Sequence, residues 1–172
     1  IAAGEVVDRP ASVVKELLEN AIDAQATVIS VEIKRGGVAM MRVTDNGCGM
    51  SAEDLPIAIK RHATSKIHNA GDLDNIMTLG FRGEALAAIA SVSSLKILSK
   101  RRQDEMGTLL EAEGGSVQDV SQIGCQDGTT VLVEELFHNV PARRKFLKSD
   151  VSEANAVLAV VEKIALSRPD IA

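Results

Sequence analysis

Apolar and polar positions follow two rhythms along this chain, and their alternation predicts the elements. From Val13 to Ala24 the apolar residues recur at helical spacing, with Val14, Leu17, Leu18, Ala21, Ile22 and Ala24 covering most of one side. Ser12, shortly after Pro10, is a favourable N-cap for a helix over Val13–Ala24. Thr27–Lys34 and Val38–Asp45 read as strands around Arg35-Gly36-Gly37, a hairpin. Ser51 and Asp54 have the spacing of a capping box for a second helix reaching about His62, with Pro56 in its first turns. His62–Arg82 is polar, glycine-containing and weakly periodic, which predicts a loop; one that long inside a compact domain is more often a lid than a linker.

Beyond it, Gly83–Ser91 is Ala-rich and helical. Ser94–Ser99, Thr108–Glu113, Ser116–Val120 and Thr130–Leu136 alternate as strands between glycine turns, and Ser152–Ser167 is an apolar-periodic helix ending before Pro169. Helix, hairpin, helix, loop, helix, meander, helix is the order of an α+β fold. It predicts a two-layer sandwich with helices on one face of a mostly antiparallel, mixed sheet. No internal repeat or low-complexity segment interrupts it.

Composition narrows the class. A chain of 172 residues with 45% apolar content suits one compact domain, 1–172. Only 2% of residues are aromatic and the formal charge is −5, which disfavours a domain that coats nucleic acid. Cys48 and Cys125 stand alone, too few for a disulfide scaffold and without zinc spacing, so a reduced, intracellular setting is expected. No run of about 18 apolar residues exists, so no membrane contact is expected. Ile1 and the Pro-Asp-Ile-Ala end are abrupt, and the chain reads as a fragment of a longer protein.

Three features carry candidate chemistry. At about 100° per residue, Glu16, Glu19, Asn20 and Asp23 fall within one arc of the first helix. Such a stripe is either a solvated face or, on an otherwise apolar helix, a buried acidic set that holds a cation or activates water. Asp45-Asn46-Gly47-Cys48-Gly49 follows a strand; it is either a plain turn or a carboxylate that accepts from a ligand allowed close by the glycines. Gly80-Phe81-Arg82-Gly83-Glu84-Ala85-Leu86 starts a helix between glycines, where free N–H groups favour phosphate. Neither a P-loop nor a dinucleotide fingerprint occurs.

In this order the three features, with Gly128-Thr129-Thr130, resemble the gyrase, heat-shock chaperone, histidine-kinase and MutL ATPase superfamily. Ile1–Val7, Arg61-His62-Ala63-Thr64-Ser65-Lys66, Gly80–Leu86 and Pro141-Ala142-Arg143-Arg144-Lys145-Phe146-Leu147 are similar to stretches of the MutL family of DNA mismatch-repair proteins. The resemblance spans essentially the whole chain and implies a Bergerat-type ATP-binding fold. It implies Glu16 as the general base, and Asn20 as the ligand of a Mg²⁺ that bridges the phosphates. It further implies that Asp45 accepts from the adenine amino group, with Gly47 and Gly49 making room for the ring and Thr129 in the same network. Thr64, Ser65 and Lys66 would belong to the lid, and Gly80, Phe81, Arg82, Gly83 and Glu84 would close over the triphosphate.

The implied activity is Mg²⁺-dependent ATP hydrolysis that gates dimer closure and couples mismatch recognition to repair. The implied partners are a second copy, a MutS-type protein and, weakly, DNA; the implied location is the cytoplasm, or the nucleus in a eukaryote. An N-terminal arm before Ile1 and a second domain after Ala172 would be missing, making the isolated stretch a poor ATPase. Gln25 stands where the family usually has glycine, the favoured residue after a helix. A nucleotide-gated module without hydrolysis and a pure DNA-binding domain are the competing functions.

The remaining groups have plainer readings. Arg143, Arg144, Lys145 and Lys148 form the strongest basic cluster, either a DNA-facing patch or a surface loop that docks the missing domain. Lys100-Arg101-Arg102 is a solvated turn, and His62 is structural. One of Met40 and Met41 packs in the core, and nothing marks Cys48 as reactive.

Overall fold

The computed structural model describes residues 7–60 and 83–172. Helix α1 spans Pro10–Asp23, strands β1 and β2 span Ile29–Lys34 and Met40–Asp45, and α2 is the short Asp54–Ala58. After them come α3 (Gly83–Ser91), β3 (Ser94–Lys100), β4 (Gly107–Glu113), β5 (Ser116–Ile123), β6 (Gly128–Glu134), α4 (Pro141–Phe146) and α5 (Asp150–Ser167). Six strands form one sheet in the order β1-β2-β6-β3-β4-β5, and every described pairing is antiparallel.

Alternation along the strands divides the sheet into two faces. Val43, Val131, Ile97 and Leu110 lie side by side across β2, β6, β3 and β4 and are all buried. The row beyond them, Met41, Val133, Leu95 and Ala112, is buried as well. The opposite face is polar. Glu32 pairs with Arg42 there, and Lys96 with Glu111 at 3.2 Å. The helices therefore cover one face, with α1 against β2, α3 against β3 and β4, and α5 against α1 and the hairpin turn.

Several elements differ from the sequence expectations in detail. Helix α1 starts earlier than Val13, with Arg9 as N-cap and Pro10 at N1. Ser12 sits inside the first turn, and its hydroxyl turns back to accept from the Arg9 amide at 3.2 Å. It caps from the N3 position, so proline's fixed φ opens the helix in its place. Helix α2 ends at Ala58 rather than near His62; the expected Ser51 cap is present, its Oγ accepting from Asp54 N at 3.1 Å. Both Met40 and Met41 are buried, where one-face alternation places only one in the core. The Gly36-Gly37 turn is approached from the outside by Asp150 and Glu153 of α5, contacts that no pattern along the chain encodes.

Arg143–Lys145 lie on helix α4, not in a loop. Arg143 donates to the Val7 carbonyl at 2.8 Å and stacks 5.9 Å from the Phe137 ring centre, which gives it a structural role. No described helix is long and apolar enough to cross a membrane.

Candidate functional site

One step along the strands from the Val43 row, the inner face changes character. Asp45, Thr129, Ser99 and Thr108 stand opposite one another on β2, β6, β3 and β4. Their inward orientation follows from the same alternation that buries the apolar rows. The Asp45 carboxylate accepts from the Gly47 amide at 2.8 Å and from the Thr129 amide. Burial nevertheless pushes its pKa above the ordinary carboxylate value, the two amides pulling the other way. Ser99 is 1% exposed; its Oγ accepts from the Met50 amide at 2.8 Å and lies 2.8 Å from Thr129 Oγ1.

The loop after Asp45 is held tightly. Asn46 Oδ1 accepts from the Thr27 and Val28 amides at 2.8 and 3.0 Å, and Cys48 N donates to the Ala24 carbonyl at 2.9 Å. A Cβ at Gly47 would stand 2.6 Å from that same carbonyl. One at Gly49, where φ is +69°, would collide with the Lys100 backbone. The two glycines thus answer to the packing of the chain itself, a nearer demand than room for a ligand.

Above the polar row lies a cavity of about 460 Å³. Leu17, Asn20 and Asp23 of α1, with Ala24 just after it, form one wall; Val43, Asp45, Thr129 and Val131 form the floor. Gly49, Met50, Leu86, Arg101 and Gln103 contribute to the rest of its lining. Apolar walls with a few convergent polar groups are the usual construction of a small-molecule site. Glu16, one turn before Asn20, is half-buried and is not part of the described lining. All four members of the acidic stripe are half-buried, between a solvated face and a core.

The structure thus brings Asn20, Asp45, Gly49 and Thr129 to one cavity, with Gly47 in the loop that closes it. Gly83 begins α3, and Glu84 in its first turn is exposed. Thr64, Ser65, Lys66, Gly80, Phe81 and Arg82 lie outside the described residues, as do Ile1–Val6 and His62. No group of three His, Cys, Asp or Glu side chains that could hold a metal occurs among the described residues. Mg²⁺ keeps several waters and needs only one or two protein oxygens beside a phosphate, and the Asn20 amide oxygen at the cavity could be such a donor.

Sequence reasoning missed Ser99 and the Arg101–Gln103 wall. Ser99 continues the buried alternation of Leu95 and Ile97, a visible signal, but its pairing with Thr129 depends on register. Arg101 belongs to a run whose sequence predicts a solvated turn. It is half-buried at the cavity and held by a two-pronged pair to Asp104 at 2.8 and 2.9 Å.

The chain is similar to known proteins. A family model described as histidine kinase-, DNA gyrase B-, and HSP90-like ATPase matches residues 8–137. The DNA mismatch repair protein MutL of Acidobacterium capsulatum is 55% identical over 170 residues, 99% of this chain and 26% of that protein. MutL of Pelobacter propionicus is 55% identical over 172 residues, 100% of this chain and 28% of that protein. Among solved structures, the Aquifex aeolicus MutL ATPase domain complexed with ADP aligns with a TM-score of 0.76 at 35% identity, covering 96% of this chain and 58% of that one. The chain spans about a quarter of the length of the curated relatives it matches.

Proposed function

We propose, from the premise that this chain belongs to the histidine kinase-, DNA gyrase B- and HSP90-like ATPase family, that it is the Mg²⁺-dependent ATP-binding and hydrolysing domain of a MutL-type mismatch-repair protein. The observation that carries the reading is the polar row: Asp45 and Thr129 face a cavity whose opposite wall presents Asn20. An adenine amino group donates to the Asp45 carboxylate, and Thr129 meets the neighbouring edge of the base. The phosphates then run along α1, where Asn20 supplies an oxygen to Mg²⁺. When bound, that ion neutralises charge developing on the phosphoryl oxygens.

Glu16, one helical turn further, takes the proton of the attacking water. The water oxygen bonds to the γ-phosphorus while the bond to the β-phosphate oxygen breaks, releasing ADP and phosphate. Thr64, Ser65, Lys66 and the Gly80–Glu84 stretch close over the triphosphate in this reading. The isolated domain turns over slowly, because groups from elsewhere in the longer protein complete the site. In that protein, nucleotide state gates closure of two copies and engagement of a MutS-type partner and DNA in the cytoplasm.

The test is a titration of Mg²⁺-ATP against the wild type, Asp45→Asn and Glu16→Ala. Loss of a charged hydrogen bond in Asp45→Asn weakens binding by about 10- to 100-fold. Glu16→Ala keeps binding and loses turnover by about 10²- to 10⁴-fold. Equal affinity in all three proteins refutes the assignment of Asp45.

A further inference from the structure

Ser99 lies in the middle of the polar row with three polar neighbours and a single proton to give. Its Oγ accepts from Met50 N at 2.8 Å, lies 2.8 Å from Thr129 Oγ1, and stands 3.2 Å from the Gly128 carbonyl oxygen. Two proton arrangements satisfy these distances. In the first, Thr129 donates to Ser99, and Ser99 donates to Gly128. In the second, Ser99 donates to Thr129, and the Thr129 proton turns into the cavity that its side chain lines.

Exchanging the first arrangement for the second gives up only the 3.2 Å contact, longer than the roughly 2.5–3.0 Å of an O–H···O hydrogen bond. The Met50 amide holds the Ser99 oxygen in both, so the protons move and the heavy atoms stay. We infer that Ser99 is a positioning residue for the bound nucleotide base, a hydroxyl relay that turns the cavity side of Thr129 from acceptor to donor when the base presents a ring nitrogen to it. The inference rests on the reading that the base occupies the cavity beside Asp45.

A consequence separates a relay from a structural strut. When the base offers no acceptor, Thr129 returns its proton to Ser99 and little is lost. Without the Ser99 hydroxyl, Thr129 loses the one side-chain hydrogen bond described for it, and its proton depends entirely on the base. Removing the base nitrogen then strands a desolvated donor, a cost of about tenfold in affinity.

The experiment measures Mg²⁺-ATP binding against 1-deaza-ATP and 7-deaza-ATP, which lack one or other ring nitrogen flanking the amino group. The proteins are the full chain as wild type, Ser99→Ala, Ser99→Thr and Thr129→Val. The wild type discriminates against one of the two analogues by a few-fold. Ser99→Ala widens that ratio by about tenfold, even as the loosened Met50 segment weakens every nucleotide. Ser99→Thr keeps the wild-type ratio, and Thr129→Val brings it close to one.

An unchanged or narrower ratio for both analogues in Ser99→Ala overturns the relay and leaves Ser99 a strut. A wild-type ratio in Thr129→Val overturns it equally. ATP affinity indifferent to Asp45→Asn refutes instead the base-in-cavity reading, and this inference with it.

Discussion

Two neighbouring rows of the inner sheet face are separated by about 7 Å of strand, yet they do opposite work. Ile97 and Leu110 of the apolar row are fully buried, while Val43 and Val131 at its other end reach the cavity floor. Asp45, Thr129, Ser99 and Thr108 occupy the next inward positions on the same strands, where Asp45 and Thr129 line the cavity and Ser99 and Thr108 stay buried beside it. The site is thus the last row of the core with its side chains exchanged for polar ones. It inherits its rigidity from the apolar row, which fixes strand register, because a one-residue slip would turn every inward group to solvent. Polarity is tolerated at the end row because Asp45, Thr129 and Ser99 are hydrogen-bonded to each other's strands and to the loop amides.

Moving the boundary by one row breaks this arrangement outright. Ile97→Ser puts a hydroxyl among apolar neighbours and empties most of a side-chain volume, a cost of about 4 kcal/mol. Urea unfolding reads it as a large drop in midpoint. A loss below about 1 kcal/mol would mean that the apolar row is as permissive as the polar one, and the contrast between them would fail.

The loop that borders the polar row is the next sensitive place. At Gly49 a side chain needs both a left-handed backbone and space taken by Lys100, so Gly49→Ala costs more than about 2 kcal/mol. Gly124, with nothing within 4 Å of an added Cβ, is the control, and Gly124→Ala stays within about 0.5 kcal/mol. Equal effects at the two glycines would show that the loop gives way, and that Asp45 is not held by its surroundings.

Asp45 supplies a pH test of the same boundary. Its pKa in the fold is raised because burial outweighs the Gly47 and Thr129 amides. A raised carboxyl favours the protonated form in the native state. Its stabilising contribution is therefore full below the ordinary value of 3.8 and is lost as pH rises through the raised folded value. Thermal melts of wild type and Asp45→Asn from pH 3 to pH 7 should show the wild type losing ground to the variant across that window, then running parallel. A wild type that gains on the variant over the same range would mean that the amides win over burial.

Much of this was legible in the chain. Period-two alternation placed Val43 and Asp45 on one side of β2, and helical spacing gathered Glu16, Asn20 and Asp23 on one side of α1. Those are local rules, and they survive folding because neighbouring residues carry them. What stayed hidden depends on partners distant in the chain. Ser99 joins the site only through its register with Thr129, thirty residues on. Arg101 resembles a solvated turn because its fork to Asp104 is local, and only folding sets that turn beside the Asp45 loop at the cavity. The basic run at Arg143 hides a contact for a similar reason: Arg143 is tied to Val7 across the fold, while Arg144, Lys145 and Lys148 stay exposed.

The smallest expected effect tests whether strain next to the polar row is shared with it. Helix α1 ends with Gln25 N donating to the Ile22 carbonyl at 2.9 Å and Ala26 N to the Ala21 carbonyl at 3.1 Å. That pair of bonds is the glycine-favouring helix stop, and Gln25 adopts it with φ at +60°. A residue with a Cβ pays about 1 kcal/mol there, partly offset in Gln25→Gly by the greater freedom of the unfolded chain. Gln25→Gly should therefore gain up to about 1 kcal/mol in urea unfolding. The neighbouring Ala24 carbonyl accepts from Cys48 in the Asp45 loop, so the exit of the helix and the site are in contact. If the strain is confined to the backbone of Gln25, ATP affinity stays at the wild-type value while stability rises. A gain in stability coupled to a loss of affinity would show that the left-handed glutamine holds the loop in its binding geometry, and the polar row would then extend its reach to the end of α1.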